Sequence, residues 1–255
     1  MSVLRRALQS GAHLLGRDLM RIGEHAYAVA PCGSARDAWF SLAAQHSDLL
    51  PKAEVDLVID VGANEGQFAR ALRRGYSGDI LSFEPASGPF AALAVAAAAD
   101  GRWRAERCGL GAESAELELA VSHVSALNSF LPASRYGSDT FGDQIAARTV
   151  ESVPVRRLDE ALPALVPDWP RRRILLKMDT QGYDLQVFQG AERILASVVA
   201  LQSEISLQPI YDGMPRWLES LRVYETAGFR VRALIPVTID DRGLPIEYDC
   251  LMVRA

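Results

Sequence analysis

From residue 55 onward the chain alternates short, nearly unbroken apolar runs with stretches of helical periodicity. The first run, Leu57–Val61, is interrupted only by Asp60 and reads as a strand buried on both faces of a parallel sheet. Gly62 and Gly66 follow. Residues 67–74 then carry Phe68, Ala71 and Leu72 on one helical face. Residues 80–84 form the next strand, closing on Glu84. An alanine-rich helix over 90–99 is bounded by Gly88-Pro89 and Asp100-Gly101. A third strand is expected over 103–108 and a short extra one over 116–121. After these come a strand at 150–157 and a helix at 158–165 with Asp159 near its start. The clearest later strand, 174–179, is interrupted by Lys177 and ends in Asp179. Leu185, Phe188, Ala191 and Leu195 mark an amphipathic helix, and the following strand ends at Glu204. A helix over 218–227, a strand over 228–235 stopped by Pro236, a turn at Asp240-Asp241-Arg242-Gly243 and a last strand over 248–253 complete the pattern. This alternation predicts an α/β fold: a doubly wound, mostly parallel sheet closed by a C-terminal antiparallel hairpin. The irregular stretch 122–144 is long for a loop and is expected to be a substrate-facing lid.

Before residue 55 the pattern changes. Val3, Leu4, Ala7, Leu8, Leu14, Leu15, Leu19 and Ile22 recur at helical spacing beside Arg5, Arg6, Arg17 and Arg21. Gly11 and Arg17 break the apolar run, so this is not the core of a signal peptide. The segment is expected to pack as a helix on the domain or on another subunit, as in a homodimer. A basic amphipathic helix also suits peripheral contact with an anionic membrane. A second helix, 37–50, carries Trp39, Phe40 and Leu42 and is followed by Pro51-Lys52. The expected division is an N-terminal helical extension, 1–50, and a main domain, 51–255.

With 255 residues, 49% of them hydrophobic, the chain can bury a substantial core. Its 27 basic and 32 acidic residues give a net charge of −5, so no basic field points to nucleic acid. Cys32, Cys108 and Cys250 form no CxxC pair and read as reduced thiols of a cytoplasmic protein. No apolar run approaches the ~20 residues of a membrane span.

The spacing Gly62-x-x-x-Gly66 is not the G-x-G-x-x-G that cradles a pyrophosphate, and Asp60 lies two residues before it. A carboxylate there suits a cation. S-adenosylmethionine, with a sulfonium, an amino group and no phosphate, fits that chemistry. The glycines would let backbone approach the ligand closely. Glu84, about 20 residues further on, stands where doubly wound folds place the acid that accepts both ribose hydroxyls. Termination by an antiparallel hairpin is usual for the class I methyltransferase (Rossmann-like) fold. The loop after the fourth strand, Asp179-Thr180-Gln181-Gly182, is not the Asn/Asp-Pro-Pro-aromatic sequence of exocyclic amine methylation. Cytosine C5 chemistry needs a Pro-Cys in the same region, and the chain's Pro-Cys, Pro31-Cys32, precedes the glycine loop. Asp179 and Glu204 place two carboxylates beside the pocket, suited to taking a proton from a hydroxyl directly or through a divalent cation such as Mg²⁺. Two acids without a nearby histidine or third acid make a sparse metal site, so no bound metal is expected. His123 is the other conceivable base.

Val58 to Gly66, Phe83-Glu84-Pro85, Leu158-Asp159 after Val155, Leu176 to Asp184, Gly190-Ala191 and Gln202-Ser203-Glu204 occur in this order over residues 55–235. In these motifs the chain resembles the FkbM family of methyltransferases. The resemblance implies S-adenosylmethionine-dependent O-methylation of a small-molecule or glycan acceptor, such as a sugar, glycolipid, polysaccharide or polyketide-like hydroxyl. It implies that Asp60, Gly62, Asn64, Gly66 and Glu84 hold the cofactor, and that Lys177, Asp179 and Glu204 line the reaction centre. Two other readings stay open: a cofactor-binding module without methyl transfer, and a membrane-surface glycolipid methyltransferase.

Overall fold

The computed structural model describes residues 17–21, 27–31 and 41–255. The chain divides into two compact units, Met1–Glu54 and Val55–Ala255. In the first, β1 (Arg17–Arg21) and β2 (Tyr27–Pro31) pair antiparallel, with Leu19 opposite Val29. The helix expected through residues 1–30 is therefore not what these two stretches form. Helical spacing counts neighbours along the chain. The strand at 17–21 is instead set by a partner further on, whose Tyr27 and Val29 favour extended backbone. The rest of that expected helix, with the packing and membrane roles attached to it, lies outside the described residues, as do Cys32, Trp39 and Phe40. The helix α1 (Leu42–Lys52) opens where the Ser41 side chain accepts from the Ala44 N–H, 3.3 Å away.

The second unit runs β3 (Leu57–Val61), α2 (Gln67–Leu72), β4 (Asp79–Phe83), α3 (Ser87–Ala98) and β5 (Trp103–Glu106), then β6 (Gly109–Leu110), β7 (Ala115–Ser122) and α4 (Arg135–Phe141). It continues through β8 (Ala147–Arg156), α5 (Leu158–Leu165), β9 (Ile174–Met178), α6 (Asp184–Gln189), β10 (Val198–Ser206), α7 (Trp217–Thr226), β11 (Phe229–Ile239) and β12 (Pro245–Arg254). Seven strands make one sheet in the order β5-β4-β3-β9-β10-β12-β11. From β5 to β10 neighbours are parallel; β12 runs antiparallel to both β10 and β11. Counted in chain order this is 3-2-1-4-5-7-6. The order reverses between β3 and β9, and the carboxyl ends on either side of that point face a crevice.

Every residue of β3 and β9 is buried, which is why both read as apolar runs broken only by Asp60 and Lys177. The main core joins Ile59, Leu81, Leu162, Leu176, Val187 and Leu201, extending to Tyr224 and Phe229. The helix expected from Leu185 to Leu195 stops at Gln189 and resumes as a tighter turn over Glu192–Ser197. Gly190 sits at the break, where a Cβ would come 2.0 Å from the Gly111 carbonyl oxygen. β11 does not stop at Pro236 but runs on to Ile239 through irregular pairing. An edge strand tolerates the missing N–H.

β7 and β8 leave the main sheet and form a smaller one with β6. Between them, residues 122–144 are less irregular than composition suggests, for they hold α4, capped by the Ser134 side chain on the Gly137 N–H. Leu127, Leu131, Tyr136 and Phe141 pack on Ile210, Tyr211 and Met214. Ser129 Oγ donates to the Gln181 carbonyl at 2.8 Å, and Tyr211 OH to the Leu127 carbonyl at 2.9 Å. The stretch is thus tied to the β9–α6 turn, above the strand ends.

Candidate active site

A row of polar side chains crosses the buried sheet in register: Ser82, Asp60, Lys177 and Gln202 stand side by side on β4, β3, β9 and β10. Trp103 Nε1 donates to Ser82 Oγ at 2.9 Å, and Ser82 Oγ donates to Asp60 Oδ2 at 3.2 Å. Lys177 Nζ lies 3.0 Å from Asp60 Oδ1 and donates to the carbonyls of Val61 and Gly62. Burial opposes the lysine's charge, but Asp60 and Asp179 outweigh it and hold the ammonium above its usual range. Asp60 is wholly buried and does not reach the cavity described below, so its negative charge meets Lys177 where the sequence suggested a ligand cation. Lys177 too lies beneath the cavity wall. It fixes the carbonyls of the glycine loop from below.

The glycine loop is closed on itself. Gly62 N–H and Ala63 N–H both donate to the Phe83 carbonyl, and Gly66 N–H to the Ala63 carbonyl. Gly62 has φ +71°, and a Cβ there would come 1.9 Å from the Asp179 carbonyl oxygen. Its glycine is required by the near contact of two loops of this chain. Gly66, φ +85°, lies away from the cavity, and a Cβ on it would meet the Trp103 ring at 2.8 Å. The close approach expected for a ligand is here an approach of backbone and indole.

One row further along the strands, the side chains open into a cavity of about 270 Å³. Glu84 follows β4, Gly62 and Asn64 follow β3, Asp179 follows β9, Glu204 stands on β10 and Glu247 on β12; all line it. With strands about 4.8 Å apart, the row spans roughly 19 Å. Phe83, Leu110, Leu119, Phe130 and Leu127 supply apolar wall, and Ser125 to Phe130 close the cavity from the 122–144 stretch. Glu84 accepts from Asn64 N–H at 2.8 Å through one oxygen and from Ala86 N–H at 2.9 Å through the other. Each oxygen keeps a further lone pair. Burial pushes this carboxyl up to about 7 against the pull of those two N–H groups and of Lys177. Asn64 Oδ1 accepts from Ser125 Oγ at 3.0 Å, joining the glycine loop to the roof.

At the other end Asp179 and Glu204 share one side chain. Gln181 Nε2 donates to Asp179 Oδ1 at 3.3 Å and to Glu204 Oε2 at 2.9 Å, while its Oε1 lies 3.2 Å from Tyr211 OH. Lys177 Nζ is 3.6 Å from Asp179 Oδ2, the two residues pointing to the same side as period-two alternation carried past the end of β9 would place them. Glu204 gains no such support from the lysine. Withdrawal from water, then the carboxylates Asp179 and Glu247, push it well above the usual range. Glu204 does not close its strand, since β10 continues to Ser206. Among the described residues no group of three or more His, Cys, Asp or Glu is arranged to hold a metal ion. His123 is exposed and outside the cavity. Cys108 lines it, with a thiol that burial pushes up to about 11.

Gln181, Asp184 and Glu247 were among the residues of the site not singled out from sequence. Gln181 stood inside a quoted motif but has a side-chain role only once Tyr211, Asp179 and Glu204 surround it. Asp184, in the same motif, braces the turn: it accepts from Thr180 N–H and hydroxyl, Ser203 hydroxyl and Glu204 N–H. Glu247 lay before the expected start of the last strand. Its signal was the alternation of Glu247 and Asp249 with apolar neighbours.

Strand order 3-2-1-4-5-7-6, an antiparallel seventh strand and a cavity at the reversal point define a class I methyltransferase fold of the Rossmann-like kind. A family model described as Methyltransferase FkbM domain matches residues 60–231, and the chain belongs to that family. Among curated proteins it is similar to Methyltransferase 1 of Beauveria bassiana (strain ARSEF 2860), 31% identical over 156 residues, covering 57% of this chain and 62% of that protein. The chain thus spans less than two thirds of that relative's length. Solved structures with similarity include Aeropyrum pernix fibrillarin with natively bound S-adenosyl-L-methionine, at 12% identity and TM-score 0.44, covering 78% of this chain and 66% of that one. Another is NcsB1, an O-methyltransferase from neocarzinostatin biosynthesis in complex with S-adenosylmethionine and 2-hydroxy-5-methyl naphthoic acid, at 13% identity and TM-score 0.39, covering 87% and 57%.

Proposed function

We propose that the chain binds S-adenosylmethionine and transfers its methyl group to a hydroxyl of a small-molecule or glycan acceptor. The observation that carries this reading is one continuous cavity with Glu84 at one end and the Asp179–Gln181–Glu204 group at the other. The donor set fits the cofactor at the first end. Glu84 retains lone pairs on both oxygens for two ribose hydroxyls, and Phe83, Pro85, Leu110 and Phe130 offer apolar wall without a phosphate-binding cation. Bound there, the cofactor supplies an activated methyl on a sulfonium.

The protein's part is to orient the acceptor oxygen and take its proton. Orientation supplies about 7–11 kcal/mol in favourable cases, and a positioned base about 10²–10⁴ in rate. Asp179 is the base: its side chain is 42% exposed at the cavity and is held on one side by Lys177 and on the other by Gln181. Glu204, whose carboxyl burial and its acidic neighbours push well above the usual range, helps hold the hydroxyl. Carboxyl groups around the acceptor also favour the positive charge that grows on its oxygen as the methyl arrives.

The test is transfer of labelled methyl from S-adenosylmethionine into a cell extract and into hydroxylated sugars, with wild type and Asp179→Asn. The expected product is a methyl ether. The variant should lose about 10²-fold or more of the rate with cofactor affinity within about twofold. Near-normal turnover of Asp179→Asn, or label on nitrogen or carbon, would overturn the assignment. Activity should be indifferent to chelators. Loss that Mg²⁺ or Mn²⁺ restores would instead put a metal between the acids and the hydroxyl.

A further inference from the structure

The β12 side of the cavity contains more acid than proton removal needs. The β10/β12 ladder sets Glu204 opposite Asp249 and Ser206 opposite Glu247, so Glu204, Glu247 and Asp249 share one face. Glu247 is 3% exposed, lines the cavity, and its Oε1 has no hydrogen-bond partner. Asn128 lines the same cavity; its Oδ1 accepts from Ser122 N–H while its buried Nδ2 has no partner. The charged groups facing this end are otherwise engaged. Asp249 accepts from Gln202 Nε2 at 3.0 Å, Asp184 has its four donors, and Asp179 and Glu204 share Gln181. Lys177, the cation on this face of the sheet, is paired with Asp60. One buried unfilled acceptor and one buried unfilled donor therefore remain at the acid-lined end of the cavity.

We propose that Glu247, backed by Glu204, anchors a protonated amine of the acceptor, and that Asn128 Nδ2 donates to an oxygen of the same molecule. This rests on the methyl-transfer reading and narrows its substrate class to hydroxylated amines, such as amino sugars and other amino alcohols. A neutral hydroxyl would fill the hydrogen bond of Glu247 Oε1 and leave the crowded carboxyls without a counter-charge. An ammonium supplies both. The carboxyl of Glu247 is pushed up to about 7 by burial and by Asp179 and Asp184, so an arriving cation favours its ionised form.

The test follows thermal unfolding of the protein titrated with ethanolammonium chloride, or with ethylene glycol plus matched sodium chloride, each with and without S-adenosylhomocysteine. The two probes differ by an ammonium in place of a hydroxyl. The expected result is apparent affinity about tenfold or more higher for ethanolammonium, a preference that Glu247→Gln brings within about twofold. If Glu247→Gln does not fold, Glu247→Asp, which retracts the charge by a methylene, should reduce the preference. Equal responses to the two probes in the wild type, no response to either, or a preference unchanged by the variants overturns the proposal. Absence of any effect of S-adenosylhomocysteine counts separately, against the methyl-transfer reading.

Discussion

Lys177 shows how far a single residue's meaning depends on its neighbours. Along the chain it is a cation interrupting an apolar strand, two residues before an acid; in the fold its ammonium sits 3.0 Å from wholly buried Asp60. Removing one partner of such a pair leaves an uncompensated buried charge. Lys177→Met should therefore destabilise the fold by about 3–5 kcal/mol in urea unfolding, with much of the loss recovered in the double variant Asp60→Asn/Lys177→Met. A double variant that loses the sum of the Asp60→Asn and Lys177→Met losses would show that the pair is not coupled. Glu84 gives a pH dependence of its own. Its carboxyl ionises near 7 in the folded chain against 4.5 ordinarily, so the folded state holds more protons between those values. Its contribution to the stability of the free protein is accordingly present below about 4.5 and lost as pH rises through about 7. Cofactor affinity runs the other way, because the ionised carboxylate is the better acceptor for two hydroxyls. It should strengthen from pH 6 to 8, and Glu84→Gln should flatten that dependence; an identical profile in the variant would remove Glu84 from the ribose site. Sequence made Asp60, Lys177, Glu84, Asp179 and Glu204 visible because acids and a lysine at strand ends are costly without a use. It left Gln181, Asn128 and Glu247 unmarked, since an amide or a surface-type acid acquires meaning only from what converges on it.

At the scale of elements, the turns after β3 and β9 act as one unit. Gly62 φ is +71°, its missing Cβ makes room for the Asp179 carbonyl, and Asp184 ties the second turn to β10. Gly62→Ala should cost about 1–3 kcal/mol for the left-handed backbone alone, with the clash added, and should lower both melting temperature and transfer rate. A variant with wild-type stability would mean that the two loops do not pack as described. Most elements were legible because buried parallel strands are continuous apolar runs and helices keep their period. The hairpin of β1 and β2 was not, because its strands are specified by each other. Nor was the order within 122–144: its anchors, Ser129 to Gln181 and Tyr211 to Leu127, join residues distant in sequence.

For the molecule as a whole, the reversal of strand order between β3 and β9 brings together residues from Glu84 to Glu247, more than half the chain apart, along one edge of one sheet. The glycine loop, the acid after β4 and the acids on β9 and β10 are read in order along the sequence, and the fold sets them in a different order around a single cavity. Everything proposed for this chain depends on a cofactor entering at the Glu84 end. Calorimetric titration with S-adenosylmethionine and S-adenosylhomocysteine tests that most directly. Saturable one-to-one binding of both is expected, weakened about tenfold or more in Glu84→Gln at pH 8. No binding of either molecule at millimolar concentration would contradict the account.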